Sequence, residues 1–169
     1  MATDRRAEIA MTDHEVADFL AVNRTATLGT VGRDGRPHLV AMWYAILDGE
    51  VWFETKAKSQ KAVNLRRDPR CSVLVEDGAT YDALRGVELE GDAQLTGDPA
   101  IVLRVGIGIW ERYVGPYDET QRAAVDAMMH NRVCVRLVVG RRRSWNHRKL
   151  GMPPMPVAGT TAPSATYGP

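Results

Sequence analysis

One stretch of the chain combines the residue types that bind a phosphate group. Residues 50–55 are strand-like, a short basic loop follows, and Ser59 stands where the next helix would begin. Free N–H groups and the positive end of the helix dipole attract an anion to such a position, and the Ser59 hydroxyl can also contact it. Lys61 falls in the first turn, where a cation opposes the dipole unless an anion is bound. This conflict favours a functional role for the lysine.

The predicted phosphate contacts come from both sides of this loop. They are Thr55, Lys56, Ser59, Gln60 and Lys61. Hydroxyl and amide groups would orient the phosphate oxygens, and the lysines would supply positive charge. A solvated basic helix face is the competing interpretation, because charged side chains are mostly exposed. The position of the loop between a strand and a helix cap favours the phosphate site.

Two further segments could contribute to a ligand site. The apolar residues of segment 36–44 could form one wall of a pocket for a flat aromatic ligand, or they could belong to the core. In segment 141–149, Trp145 could stack on a ring while the neighbouring cations hold acidic groups. A basic surface strand is the alternative there, and a nucleic-acid patch is weaker because one aromatic residue alone is interleaved with the cations.

Composition narrows the class of protein. The 169 residues carry a net charge of +1, with 44% hydrophobic and 25% charged residues, which is typical of one soluble globular domain. Local basic clusters in a near-neutral chain favour an anionic small molecule over nucleic acid. We find no apolar run near the roughly 18 residues that span a membrane, and no apolar region of a signal peptide. We therefore expect a protein that contacts neither nucleic acid nor membranes.

The reactive side chains predict neither a metal site nor a catalytic residue. Cys71 and Cys134 lie in apolar, β-branched stretches, so both are expected to be buried thiols in a reduced, cytoplasmic setting. Two isolated cysteines lack metal-ligand spacing, and no Ser/His/Asp set can be identified. Chemistry carried by a bound cofactor would explain an enzyme without an evident acid, base or nucleophile.

Periodicity and turn signals predict a mainly β fold with peripheral helices. The predicted strands are residues 25–31, 37–47, 50–55, 71–76, 86–95, 132–139 and 141–145, and the predicted helices are residues 12–23, 59–68, 98–113 and 118–131. Hairpin connections without βαβ alternation favour an antiparallel barrel with added helices. We assign residues 1–150 to this domain and residues 151–169, which are rich in Pro, Gly, Thr and Ala, to a C-terminal tail.

Several motifs resemble the pyridoxamine-5′-phosphate-oxidase-like split β-barrel superfamily, and within it the group B flavin/deazaflavin oxidoreductases that use coenzyme F420. The matching stretches are Thr27–Val31, Asp34–Pro37, Trp43-Tyr44 with Asp48-Gly49, Lys61 with Asn64–Arg70, and Val87–Gly91. The run Asn-Leu-Arg-Arg-Asp-Pro-Arg after a lysine is the most specific of them. Together the motifs cover roughly residues 12–150.

The resemblance implies a split antiparallel β-barrel and a homodimer with two cofactor sites at the subunit interface. It implies that residues 55–61 hold the cofactor phosphate, with Lys61 the firmest assignment. Val40, Ala41 and Met42 would border the ring of the cofactor.

More distant contacts are implied for the rest of the cofactor. Trp145 would come from the partner subunit or would close the pocket. Because F420 carries a phospholactyl-oligoglutamate tail, a basic groove would suit it. Lys58, Arg66 and residues 141–143 are the candidates for that groove.

The implied activity is that of an F420-dependent reductase. Reduced deazaflavin would pass a hydride to an electron-poor, small-molecule acceptor such as a conjugated carbonyl or a quinone. Some members of the group carry arginine where Ser59 stands, and serine is closer to the FMN-binding relatives. An FMN-dependent oxidase or reductase therefore stays open as the alternative, as does a non-catalytic protein that carries F420 or a flavin.

Overall fold

The structure is a computed structural model and describes residues 5–157. The helices are α1 (Arg5–Ile9), α2 (Asp13–Val22), α3 (Gln60–Arg67), α4 (Pro99–Tyr113) and α5 (Arg122–Met129). The strands are β1 (Ala26–Val31), β2 (Pro37–Met42), β3 (Ala45–Leu47), β4 (Glu50–Lys56), β5 (Arg70–Asp77), β6 (Arg85–Thr96) and β7 (Arg132–Asn146). Short 3-10 helices lie at Tyr81–Ala83, Glu119–Gln121 and His147–Leu150.

The seven strands form one curled antiparallel sheet that makes a half-barrel. Their order is β2-β1-β5-β6-β7-β4-β3, so β2 and β3 form the two edges. The mainly β, split-barrel fold predicted from the sequence is thereby confirmed. Within residues 5–157, no helix is both long enough and apolar enough to cross a membrane.

The sheet separates two apolar cores. Alternate residues of β1 and β4 are buried, as expected for strands with one face on a core. The larger core includes Phe19 of α2, Leu28 and Phe53. The second core lies where α4 and α5 pack against the other face, around Ile109 and Val125.

The prediction of a single strand over residues 37–47 is wrong. The chain leaves the sheet at Trp43 and Tyr44, and β2 and β3 lie at opposite edges. Tyr44 is fully buried, and its backbone N–H donates to the Tyr113 hydroxyl at 3.0 Å instead of to a neighbouring strand. Its own hydroxyl donates to the carbonyl of Leu20 at 2.6 Å. This tyrosine fixes the crossover between the two edges.

The two strands predicted at residues 132–139 and 141–145 are one strand, β7. It pairs with β6 on both sides of Gly140, and a β-bulge between Glu90 and Gly91 takes up the extra residue. A Cβ atom on Gly91 would collide with the Val138 carbonyl, so the close approach at the bulge needs glycine.

Other predictions are confirmed. The Thr12–Glu15 capping box begins α2, and Ser59 is the N-cap of α3. Cys71 and Cys134 are buried free thiols, and burial raises the pKa of the first to about 11 and of the second to about 12. The predicted tail has no helix or strand over residues 151–157, and its remainder lies outside the described residues.

Candidate functional site

The segment between β4 and α3 folds as a tight turn that presents the start of the helix. The Ser59 N–H donates to the Lys56 carbonyl at 2.9 Å, and the Ser59 hydroxyl accepts the Ala62 N–H at 3.4 Å. The same hydroxyl lies 3.0 Å from that of Thr55, which is buried at the end of β4. Within residues 5–157, the Gln60 and Lys61 N–H groups have no hydrogen-bond partner, as expected in the first turn of a helix.

A cavity of about 380 Å³ opens in front of this turn. It is lined by Ala41, Met42, Trp43, Glu54, Thr55, Lys56, Ser59, Lys61 and Arg132. We call the side of the cavity formed by Thr55, Lys56, Ser59 and Lys61 the anion corner. The end of β2 thus faces the end of β4 and the start of α3, although β2 and β4 are far apart in the strand order.

The cavity lies where strand pairing stops on both sides. β2 is an edge strand, paired through β1 alone. β3 is so short that it pairs with β4 over residues 50–52 and leaves residues 53–56 without a strand on that side. Edges of this kind offer unpaired backbone N–H and C=O groups to a ligand. The opening of the split barrel therefore supplies both backbone donors and backbone acceptors.

The side chains that line the cavity carry a net positive charge. Arg132 is ion-paired with Glu54, and its Nε donates to the Met128 carbonyl at 2.7 Å. Because this pair is neutral as a whole, Lys56 and Lys61 leave the cavity with a net positive charge. Two cations, two hydroxyls and a helix N-terminus are a suitable donor set for a phosphate dianion.

A second feature of the cavity is an aromatic wall. The Trp43 indole stacks on the Tyr113 ring, with the ring centroids 4.4 Å apart and the planes inclined by 4°. Trp43 is 51% exposed although it is a large apolar side chain. Such a ring beside a cluster of cations suits a ligand that has both a flat ring and an anionic group.

The structure brings together six of the ten predicted cofactor contacts. These are Ala41, Met42, Thr55, Lys56, Ser59 and Lys61. Val40 does not line the cavity, and its side chain packs against the larger core. The exposed Gln60 turns along the helix and donates to Asn64 at 2.8 Å. Lys58 is exposed and lies outside the cavity.

Trp145 lies in a different depression of the same chain. It is on the outward face of the sheet, with Thr27, Leu39 and Leu74 among its neighbours in a cavity of about 310 Å³. A Cβ atom on Gly86 would overlap its ring, so this strand pair needs glycine opposite the indole. A role for Trp145 at the anion corner would require a second subunit, and that prediction stays untested.

We call residues 141–149, which are the end of β7 and the start of the following 3-10 helix, the basic strand, and its cations are largely neutralised by carboxylates. Arg143 donates to Glu88 at 2.5 Å and to Glu90 at 2.8 Å, and these hydrogen bonds raise its pKa. Arg142 pairs with Asp13 at 2.5 Å. Lys149 pairs with Glu15 at 2.7 Å, and Arg66, also predicted to hold the cofactor tail, donates to the Ala57 carbonyl at 2.7 Å. These contacts favour the surface-strand interpretation.

Sequence reasoning missed two residues that line the cavity, Glu54 and Arg132, and it offered Trp43 only as part of the apolar segment 36–44 that could form a pocket wall. Trp43 stood inside a recognised motif, so its exposure beside a crossover could have been suspected. Glu54 and Arg132 are 78 positions apart in the sequence, and the pairing of β4 with β7 is what brings them together. No group of three or more His, Cys, Asp or Glu side chains within residues 5–157 is arranged to hold a metal ion.

Comparisons with known proteins agree with this architecture. The family model for pyridoxamine 5′-phosphate oxidase matches residues 12–146. A conserved hypothetical protein from Mycobacterium tuberculosis is 60% identical, with a TM-score of 0.90 over 93% of this chain and 98% of that one. An F420 reductase is 29% identical, with a TM-score of 0.56 over 74% of this chain and 93% of that one.

A more distant match shares the fold alone. An FAD-binding protein from Mesorhizobium loti is 20% identical, with a TM-score of 0.59 over 80% of this chain and 93% of that one. Because the family match spans most of the chain and the curled sheet has the split-barrel order, the protein belongs to the pyridoxamine 5′-phosphate oxidase-like family of split β-barrels.

Proposed function

We propose that the protein is an F420-dependent reductase that acts on an electron-poor organic acceptor. The observation that carries this proposal is the anion corner, where Thr55, Ser59 and Lys61 meet the end of β2 in one cavity. The match to an F420 reductase at 29% identity supports the choice of cofactor. Reduced deazaflavin, when bound, supplies a hydride to an acceptor such as a conjugated carbonyl or a quinone.

In this proposal, the residues of this chain bind the cofactor and orient its ring. Lys61 and the free N–H groups of the first turn of α3 hold the phosphate, and Lys56 adds charge at the rim. The hydroxyls of Thr55 and Ser59 fix the orientation of its oxygens. Ala41 and Met42 border the ring, and the unpaired edge of β2 can hydrogen-bond the polar edge of that ring. Fixed orientation is the contribution such a site makes to hydride transfer.

FMN is the alternative cofactor, and one feature favours it. Ser59 caps α3 and hydrogen-bonds Thr55, so position 59 presents a small hydroxyl rather than a long cation. This arrangement leaves room for a simple phosphate monoester such as that of FMN. The same scaffold would then serve an FMN-dependent oxidase or reductase.

We also propose that the functional unit is a homodimer. The outward face of the sheet carries two depressions of about 720 and 310 Å³, which share Gly29, Leu39 and Ser72. Leu39 is 66% exposed, and Val139 on β7 is 45% exposed. A broad apolar face of this kind is typical of a subunit contact. A second copy on this face would cover Trp145.

We further propose a cytoplasmic setting. Both cysteines are free thiols, which supports a reducing compartment.

Native mass spectrometry after incubation with FMN, FAD, F420 and haem tests the cofactor and the subunit count together. We expect a dimer that retains F420. A titration followed by deazaflavin fluorescence then measures the affinity in wild type and in Lys61→Ala. Arg104→Ala is the matched control, because Arg104 is paired with Asp48 on the exposed side of α4.

The outcomes separate the alternatives. Binding of F420 that weakens in Lys61→Ala and not in Arg104→Ala supports the proposal, and turnover of a quinone or enone panel completes it. A yellow protein that retains FMN in preference moves the function to the FMN alternative. Tight binding with no turnover across the panel indicates a cofactor carrier. If neither deazaflavin nor flavin binds at micromolar concentration, the proposal is wrong.

A further inference from the structure

Trp43 is an unusual residue to leave exposed. It follows β2 directly, half of its surface is accessible, and it lines the same cavity as Lys61. A large aromatic side chain that keeps this much exposed area is frequently part of a binding surface. The indole is not part of the anion corner, so it is not needed to bind the phosphate.

The Tyr113 ring, which stacks on the Trp43 indole, fixes the orientation of that indole. Its ring lies parallel to that of Tyr113 at a centroid distance of 4.4 Å. The Tyr113 hydroxyl accepts the Tyr44 N–H at 3.0 Å and lies 2.8 Å from the Arg24 carbonyl, to which it can donate. The guanidinium groups of Arg24 and Arg112 lie 5.6 and 5.8 Å from the Tyr113 ring centroid. The tyrosine is thus held at both its ring and its hydroxyl.

The wall of the cavity that carries the indole also carries a small side chain. Ala41 is two residues before Trp43, is exposed, and lines the same cavity with a single methyl group. Across the cavity stand the cations of the anion corner. One cavity thus combines a held aromatic surface, a small side chain and the cations of the anion corner.

We propose that the Trp43 indole, positioned by Tyr113, is the surface against which the ring system of the bound cofactor packs. The inference rests on the proposed function, and it assigns the ring-binding contact of that site to a residue outside the phosphate loop. Flat, electron-poor ring systems stack favourably on an indole. Removal of a stacked aromatic side chain typically weakens binding by about tenfold.

Two ligands that differ only in the phosphate separate the two ends of the cavity. FMN carries the ring and the phosphate, and riboflavin carries the ring without the phosphate; F420 and its tail-free deazaflavin chromophore form a second pair, which differs by the phosphate together with the rest of the tail. Trp43→Ala should weaken both members of a pair by the same factor, about tenfold. Lys61→Ala should weaken the phosphate-bearing member alone.

Tryptophan fluorescence gives a second readout that does not depend on activity. Ligand binding should quench the emission of the wild-type protein, and Trp43→Phe should remove most of that quenching while it keeps the affinity within about threefold, because phenylalanine still stacks. Trp110→Phe is the matched control, since Trp110 packs with the second core and does not line the cavity. Its quenching should equal that of wild type.

The inference and the proposed function can fail separately. If wild type binds neither F420 nor FMN, the proposed function is wrong and the inference falls with it. If binding depends on Lys61 but Trp43→Ala keeps the affinity within twofold and Trp43→Phe keeps the quenching, only the inference is wrong. A changed subunit count in Trp43→Ala with unchanged ring affinity also overturns it, by assigning the indole to a subunit contact. Thermal melts of each variant confirm that it is folded.

Discussion

The anion corner and the basic strand have similar compositions in the sequence but different surroundings in the structure. Both are clusters of lysine or arginine beside an aromatic residue. At the anion corner, Lys56 and Lys61 line a cavity in which Glu54 is the one carboxylate among residues 5–157, and Glu54 is already paired with Arg132. On the basic strand, Arg143 lies between two carboxylates of β6. The positive charge of the anion corner is therefore available to a ligand, whereas that of the basic strand is neutralised by ion pairs within the protein.

The difference originates in strand register. Glu88 is opposite Arg143 and Glu90 is opposite Arg141 on the antiparallel pair β6–β7, so the acidic side of β6 meets the basic side of β7. The anion corner lies at the end of β4 and the start of α3, where β7 places Arg132 opposite Lys56 and Lys61 belongs to the helix, so strand pairing brings no carboxylate opposite either lysine. A run of cations is thus a binding site or a structural surface according to what the neighbouring strand carries.

Charge reversal should give the largest effect and separate the two regions. We expect Lys61→Glu to weaken F420 or FMN binding at least about a hundredfold, because it removes a charge-assisted contact and adds repulsion to the phosphate. Arg143→Glu should change the affinity less than about threefold. Titrations at two salt concentrations measure both variants, and equal losses in the two would contradict the comparison.

The second prediction concerns how each region is anchored. Asn64 of α3 is fully buried, donates to the Thr30 hydroxyl at 3.0 Å and accepts from Gln60 at 2.8 Å. This polar chain connects the start of α3 to β1. Asn64→Ala should lower the free energy of unfolding by about 2 kcal/mol, because it leaves a buried hydroxyl without its partner. Chemical denaturation measures the change.

The exposed end of the same chain provides the control. Gln60→Ala removes one hydrogen bond to the Asn64 amide oxygen, whereas Asn64→Ala removes two hydrogen bonds, so Gln60→Ala should cost less, about 1 kcal/mol. Equal costs for the two substitutions would show that burial of Asn64 does not matter. No comparable buried polar chain is expected on the basic strand, where the ion pairs lie at the surface.

Local signals predicted much of the molecule, and long-range pairing explains the failures. The capping box of α2, the Ser59 cap and the period-two pattern of β6 are all readable within a few residues. The break at Tyr44 is not, because it depends on a hydroxyl 69 positions away. The phosphate-binding side of the site was predictable for the same reason: residues 55–61 are contiguous, whereas Arg132 reaches the cavity only through the pairing of β4 with β7.

A substitution at Lys61 that weakens ligand binding should stabilise the ligand-free protein. Lys61 lies in the first turn of α3, where a cation opposes the helix dipole, so Lys61→Glu should raise the free energy of unfolding by about 0.5 kcal/mol. Arg143→Ala leaves Glu88 and Glu90 without their shared cation and should lower the melting temperature by roughly 1–2 °C. Thermal unfolding of the ligand-free proteins measures both, and a destabilised Lys61→Glu would mean that the lysine supports the fold.

The smallest expected effect concerns the other end of α3, where Asp68 is the C-cap. The Arg70 side chain hydrogen-bonds this carboxylate at 2.6 and 2.9 Å and lowers its pKa from 3.8 to about 2. Since the folded-state pKa is lowered, the stabilising contribution is complete above about pH 4 and is lost as the pH falls towards 2. Asp68→Asn should therefore be slightly less stable than wild type at pH 6, and the gap should narrow at pH 3. Urea denaturation at both pH values measures it. A gap that widens in acid would mean that the carboxylate is not held by Arg70, and α3 would then end without the charge pair that complements the cationic start at the anion corner.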